Sequence, residues 1–204
     1  MSTTSTTSDA ASRSAVRSSP ARQRLLIAAT ELFYREGIHS VGVDRIIQTA
    51  GVTRATMYKQ FEGKEGLVLA YLDGEDQQLR GLFAQAAGES SDPLVLLDLT
   101  IAGIEHDIRE RHTRGCPFIN AAAEYPDDGP VRALIADHRE WFRATLRQLA
   151  DAAGLTDPDD VAASLVLLRD AALVGGYLDG EGRVAPAFAR TARDVIAAHR
   201  PRSG

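Results

Sequence analysis

Between Val43 and Lys64 the chain reads VDRIIQTAGVTRATMYKQFEGK, and the side chains of its second half are of types that can hold DNA. Arg, Thr, Lys and Gln reach base edges or phosphates in the major groove, where a small residue such as Ala55 permits close approach. The spacing supplies the geometry. Ile46 and Ile47 carry the apolar side of a short helix, Ala50 is small enough for another helix to cross it, and Gly51 provides the backbone freedom for a tight turn. Thr53 is a good N-cap for a second helix, in which Met57 and Phe61, four apart, share one buried side. Arg54, Ala55, Thr56, Tyr58, Lys59 and Gln60 are left to face outward. Helix–Gly–helix turns are also common in all-α proteins, where such a face is merely solvated, so the spacing alone leaves both readings open.

Charge separates them. Residues 1–64 carry nine Lys and Arg against five Asp and Glu, a net +4, whereas the remainder carries a net −9. The overall charge of −5 therefore hides a basic end suited to phosphates and an acidic body that DNA repels. Lys59 and Lys64, the lysines of the chain, both fall in this segment.

RQRLLIAATELFYREG followed by VGVDRIIQTAGVTRATMYKQFEGKEGLVLAYL closely resembles the N-terminal DNA-binding domain of the TetR (tetracycline-repressor) family of bacterial transcription regulators. The ordered series Leu-x-x-Ala-x-x-Leu-Phe-x-x-x-Gly, Ala-Gly-Val-Thr, Thr-x-Tyr-x-x-Phe and Lys-Glu-x-Leu carries the likeness over about Arg22 to Leu72. The resemblance implies phosphate contacts at Thr53, Thr56, Tyr58 and Lys64, the last at the start of a fourth helix whose free N–H groups also attract anions. It implies base-facing or near-base positions for Arg54, Ala55 and Lys59, with Arg45 on the preceding helix. Gly42 departs from the Thr or Ser that often caps the second helix, Ala55 from a frequent Gly, and Gln60 from a frequent His or Tyr. None breaks the fold, but each bears on the operator sequence.

The elements that must position these groups read as all-α. Residues 1–19, with eleven Ser or Thr and no apolar run, read as a disordered tail in which Arg13 and Arg17 brush the DNA backbone, and they contain no secretory signal. Residues 20–66 form a three-helix helix-turn-helix reader and 67–204 a helical body for effector binding and dimerisation. The first helix is marked by Leu25, Ala28, Ala29, Leu32 and Phe33 with Gly37 as its stop. A long fourth helix carries Leu67, Tyr71, Leu79, Leu82 and Phe83, with a loosening expected at Gly74. Further helices start at Pro93, Pro117, Pro130, Pro158 and Pro186, and no segment demands a strand.

VAASLVLLRDAALVGGYL, residues 161–178, is apolar almost all round and must be covered on more than one side. Arg169 and Asp170 at its centre argue against a membrane span. One face toward the body and one toward a second copy fits better, and the final helix adds Phe188, Thr191, Ala192 and Val195. In the family the last two helices form the dimer as a four-helix bundle, so the 158–178 and 186–199 helices are the expected interface, and a two-fold dimer reads a palindromic operator.

The resemblance also implies a small-molecule effector held among the middle helices, whose binding swings the fourth helix and releases double-stranded DNA; the family mostly represses. The candidate pocket residues mix aromatic surface with polar handles: His106, Cys116, Phe118, Asn120, Glu124, Trp141, Phe142 and Tyr177. Cys116, at a helix start and following Arg109, Arg111 and Arg114, raises a separate possibility of thiol sensing. A single cysteine precludes an internal disulfide and fits the cytoplasm. No metal-ligand cluster, phosphate loop or nucleophile elbow is present, so no enzyme, metal or cofactor is expected. The alternative is a helical adaptor that kept the fold and binds protein instead of DNA.

Overall fold

The computed structural model describes residues 19–201, and every regular element within them is helical. Residues 1–18 of the Ser- and Thr-rich tail, Arg13 and Arg17 among them, lie outside the described residues. In chain order the elements are α1 (Pro20–Glu36), α2 (Val43–Ala50), α3 (Arg54–Phe61), α4 (Lys64–Glu89), α5 (Pro93–His106), α6 (Pro117–Glu124), α7 (Pro130–Ala152), α8 (Pro158–Asp179) and α9 (Glu181–Ala198). α5 runs on through a π-helical turn, Asp107–Arg111.

Start signals explain most boundaries. Ser19, Thr53, Asp92 and Asp157 accept hydrogen bonds from the first turns of α1, α3, α5 and α8, and Pro occupies the first turn of α1 and α5 to α8. Two expectations fail. α4 is unbroken through Gly74, because the buried residues Leu67, Val68, Tyr71 and Leu72 anchor it before that point and ion pairs hold it just beyond. α9 begins at Glu181, not Pro186, which sits inside the helix. Only one backbone hydrogen bond is forfeited there, and the buried neighbours Ala185 and Phe188 hold the turn in place. The buried stripe of α9 is Ala185, Phe188, Ala189, Ala192 and Ile196, so Thr191 lies exposed beside it and Val195 half-buried.

α4 belongs to both halves of the molecule, and the boundary expected at residue 66 falls within its first turn. Its consecutive acids strap it to the body. Glu75 meets His112 at 3.3 Å and Arg111 at 3.6 Å, and both of these groups also meet Asp107 of the π turn. Asp76 binds Nδ1 of His138 on α7 at 2.7 Å and Arg80 at 2.6 Å, and the Arg80 guanidinium lies 4.3 Å over the Trp141 ring. Burial raises the Asp76 pKa, but hydrogen bonds from Arg80 and His138 outweigh it and bring the carboxyl below its ordinary value.

α8 is long and apolar enough to cross a membrane, yet its fittings are those of a packed core helix. Buried Arg169 sits 4.9 Å over the Phe142 ring and Asp170 pairs with Arg139 of α7 at 2.8 Å. Leu167 (73% exposed), Leu178 (69%), Tyr177 (53%) and Val174 (38%) form an uncovered apolar face on the same helix.

Two outcomes test this packing. A Cβ on Gly66 would lie 1.8 Å from the Phe61 carbonyl oxygen, whereas one on Gly74 meets nothing within 4 Å. Gly66→Ala should therefore cost about 1–3 kcal/mol by forcing backbone apart, while Gly74→Ala should stabilise by about 0.5–1 kcal/mol, both read by thermal denaturation. Burial pushes His138 down to about 4, against the pull of Asp76. The unfolded chain, protonating its histidine near the ordinary 6.5, binds more protons between those two values. Stability is thus complete above about pH 6.5 and falls toward pH 4, by about 2 kcal/mol between pH 7 and 4.5 from this group. In urea titrations His138→Gln should remove that part of the acid loss; an unchanged pH slope would show that His138 is not its source.

Candidate nucleic-acid interface

The α2–α3 pair is built as its residues dictate. Gly51 takes left-handed angles (φ 61°, ψ 44°) and its N–H closes the end of α2, a backbone state that disfavours side chains. Ile46, Ala50, Met57 and Phe61 are buried at the crossing. Thr53 Oγ1 accepts the Thr56 N–H at 3.2 Å and meets Thr56 Oγ1 at 2.8 Å, fixing the first turn of α3. Gly42 caps α2 without a side-chain bond.

Arg22 and Arg24, counted above among the basic charges, do a different task. Arg24 Nε donates to the Ala50 carbonyl at 3.1 Å, and Arg22 Nη1 to the Gln60 carbonyl at 2.5 Å while its guanidinium covers the Phe61 ring at 4.1 Å. Each puts positive charge on a helix C-terminus, where carbonyls lack partners. α1 thereby fixes both helices of the reader. Their sequence signal was spacing from the core residues of α1, which the count of charges alone did not use.

The outward face of α3 comprises Arg54, Ala55, Tyr58 and Lys59, all exposed, with Thr53 at its start. Arg54 pairs with Asp44, and Arg45 holds Glu36 through two contacts of 2.5 and 2.7 Å. These pairs are exposed and contribute roughly 0–1 kcal/mol each. Lys64 opens α4 and is half-buried; its Nζ lies 3.5 Å from the His39 carbonyl, and burial lowers its pKa against the opposing charge of Glu124. Among the described residues Lys59 has no ionic partner.

The reader is joined to the body at two further points. Glu124, at the end of α6, accepts the N–H groups of Ile38 (2.8 Å) and His39 (2.5 Å) in the α1–α2 turn, and the His39 ring stacks on Tyr125 at 5.2 Å. The Tyr34 hydroxyl accepts the Arg114 N–H and donates to the Gly115 carbonyl, and burial pushes its pKa up to about 12.

The eight candidate effector residues do not converge. Phe118 lines a groove of about 590 Å³ between α6, α7 and α8, Phe142 a space of about 60 Å³ between α4, α5 and α7, and Asn120, Glu124 and Tyr177 a cleft of about 250 Å³ at the reader–body junction. Both carboxylate oxygens of Glu124 are occupied by the reader turn, so it acts as a strut. Trp141 is packed between Arg80 and Phe83. His106 is exposed at the end of α5. Cys116 is 1% exposed at the N-cap of α6, which denies an oxidant or electrophile access to its thiol in this conformation. Sequence reading passed over His138, Asp76, Arg132 and Arg139, and used Asp170 only against a membrane span, because charges at helical spacing look like a solvated face and only the crossing of α4, α6, α7 and α8 brings them together.

The family model "Bacterial regulatory proteins, tetR family" matches residues 25–71. The chain is 30% identical over 190 residues to the transcriptional regulator AcuR of Cereibacter sphaeroides, covering 88% of this chain and 86% of AcuR. Over 90 residues it is 36% identical to the transcriptional activator FasR of Mycolicibacterium smegmatis, covering 42% of this chain and 41% of that protein. The crystal structure of SCO4454, a TetR-family transcriptional regulator from Streptomyces coelicolor, superposes with a TM-score of 0.85 at 42% identity, covering 89% of this chain and 96% of that one. Reader geometry, sequence and whole-chain fold agree: the chain belongs to the TetR family of transcriptional regulators, which bind DNA and are not enzymes.

Proposed function

We propose that the protein is a homodimeric repressor that binds a palindromic or near-palindromic operator and is released from it by a small-molecule effector. The observation that carries this reading is the exposed face of α3, with Arg54, Ala55, Tyr58 and Lys59 side by side and Lys64 at the adjoining helix start. Thr53, Thr56, Tyr58 and Lys64 clamp phosphates; Arg54, Ala55 and Lys59 face the bases, with Arg45 beside them. Residues 20–66 act as reader and 67–204 as effector-binding and dimerisation body, working in the cytoplasm.

The uncovered face of α8 supports the dimer. Leu167, Val174 and Leu178 recur at helical spacing on its open side, and α9, packed against α8, has Thr191 exposed and Val195 half-buried. An apolar strip of this length is a poor solvent surface and a good partner for a second copy. Two readers related by a two-fold axis then meet half-sites one helical turn, or a multiple of it, apart.

Selection from random-sequence DNA should yield a consensus with two-fold symmetry. Lys64→Ala should weaken binding to that consensus about tenfold and reduce the salt dependence by roughly one phosphate contact; Tyr58→Ala should also weaken it. Binding unchanged by both substitutions, or no consensus, would favour a protein-binding adaptor. Leu167→Glu with Leu178→Glu should convert dimer to monomer in sedimentation velocity and lower operator affinity by tenfold or more. A doubly substituted dimer would place the interface elsewhere.

A further inference from the structure

The groove between α6, α7 and α8 combines an apolar floor with an uneven charge. Phe118 and Ile119 come from α6, Ile135 from α7 and Val166 from α8, and the volume of about 590 Å³ lies in the range of small-molecule sites. Five charged residues rim it: Arg132, Arg139, Glu140 and Arg143 on α7 and Asp170 on α8. Four of them are already coupled, Arg139 to Asp170 at 2.8 Å and Arg143 to Glu140 at 2.5 Å. Among the described residues Arg132, half-buried at the rim, has no ionic or hydrogen-bonding partner. The rim therefore carries one uncompensated positive charge beside apolar surface.

Resting on the reading of an effector-released regulator, we infer that this groove is the effector site and that it takes an amphipathic monoanion, a carboxylate on an aromatic or aliphatic body, with the carboxylate on Arg132 and the body against Phe118, Ile135 and Val166. A guanidinium offers a planar two-point fork that fits a carboxylate, and desolvation by the apolar floor strengthens the pairing. A cation would face the unpaired Arg132. A neutral amide would leave that charge unanswered and partly desolvated.

A second, independent feature links the groove to DNA. Phe118 lines the groove and stacks on His138 at 3.6 Å with the rings 9° from parallel. His138 in turn holds Asp76 of α4. Its Nε2 is buried with no hydrogen-bond partner among the described residues, so stacking and the single bond to Asp76 are what keep the ring in place. A ligand that shifts Phe118 disturbs the strap between α7 and the helix that carries Lys64 at its start. Val166 and Asp170 line the groove from α8, and Asp170 pairs with Arg139 of α7, so the groove lies on the α7 side of α8 rather than on the exposed Leu167–Val174 strip proposed for the second copy.

The test uses the full-length dimer with 2-naphthoate and octanoate, each beside its neutral amide, in calorimetric titrations, and measures affinity for the selected operator in the same samples. The acids should bind at least tenfold more tightly than the amides and should weaken operator binding. Arg132→Gln should reduce acid binding at least tenfold and abolish acid-induced release, with operator affinity in the absence of acid unchanged; Arg132→Lys should retain most of both. Equal binding of acid and amide, no binding of either acid, or acid binding unaffected by Arg132→Gln overturns the inference. Arg132-dependent binding that leaves operator affinity untouched overturns the effector role. Specific operator binding with no response to acid defeats the groove assignment alone, whereas absence of specific operator binding defeats the regulatory reading itself.

Discussion

The rest of the molecule depends on α4 being one unbroken rod with two sets of obligations. Its first turns bury Leu67, Val68, Tyr71 and Leu72 near the reader, and Glu75 and Asp76 then tie it to α7 and the π turn. A straight helix transmits displacement because every residue is bonded to the turn behind it. Had the chain loosened at Gly74, movement of the body would have been absorbed there. Continuity makes the placement of α3 a function of how α4 sits, and packed straps that either hold or break are how a small shift becomes a change of state.

The straps differ in kind. Glu75 sits in a network of Arg111, His112 and Asp107 in which each acid has a cationic or protonatable neighbour. Asp76 faces a neutral imidazole on one side and a guanidinium on the other. The first is secured by several partners. The second relies on the aromatic plate of Phe118 to hold His138 upright, which places the more readily disturbed contact beside the larger groove. Glu124 and Tyr34 anchor the reader independently of α4, so the reader is held at its turn as well as through its rod.

How far the sequence revealed this follows from which forces are local. Caps, turn glycines and periodic apolar residues act within a few positions, so α1 to α8 and the buried faces of α2 and α3 were legible. Pro186 misled because proline usually marks a start, and here packing of Ala185 and Phe188 outweighs one lost hydrogen bond. Gly74 misled for the opposite reason: its intrinsic flexibility is overridden by contacts made elsewhere along α4. The candidate pocket was the least legible, since Asp76 and His138, or Arg139 and Asp170, are far apart in the chain and their pairing exists only after the helices cross. Arg22 and Arg24 show the same limit. The charge count included them without assigning a role; in the fold they close helix ends.

That reassignment sharpens the electrostatics of the reader. With Arg22 and Arg24 committed to backbone carbonyls, the cations left for DNA among the described residues of the reader are Arg35, Arg45 and Arg54 in exposed ion pairs, Lys59 without an ionic partner, and Lys64 weakly held by a carbonyl. Exposed pairs of this sort contribute roughly 0–1 kcal/mol, so exchanging Glu36 or Asp44 for a phosphate is nearly neutral in contact energy. The gain on binding must come instead from counterions released by the DNA, which grows with the number of phosphates neutralised and falls with salt. In the dimer proposed above, a second copy would raise the contact number without adding a residue, and the acidic body, repelled by DNA, would keep attraction confined to the two α3 faces. On that proposal, the pairing of readers, and anything that alters their spacing through α4, is the quantity that decides whether DNA is held.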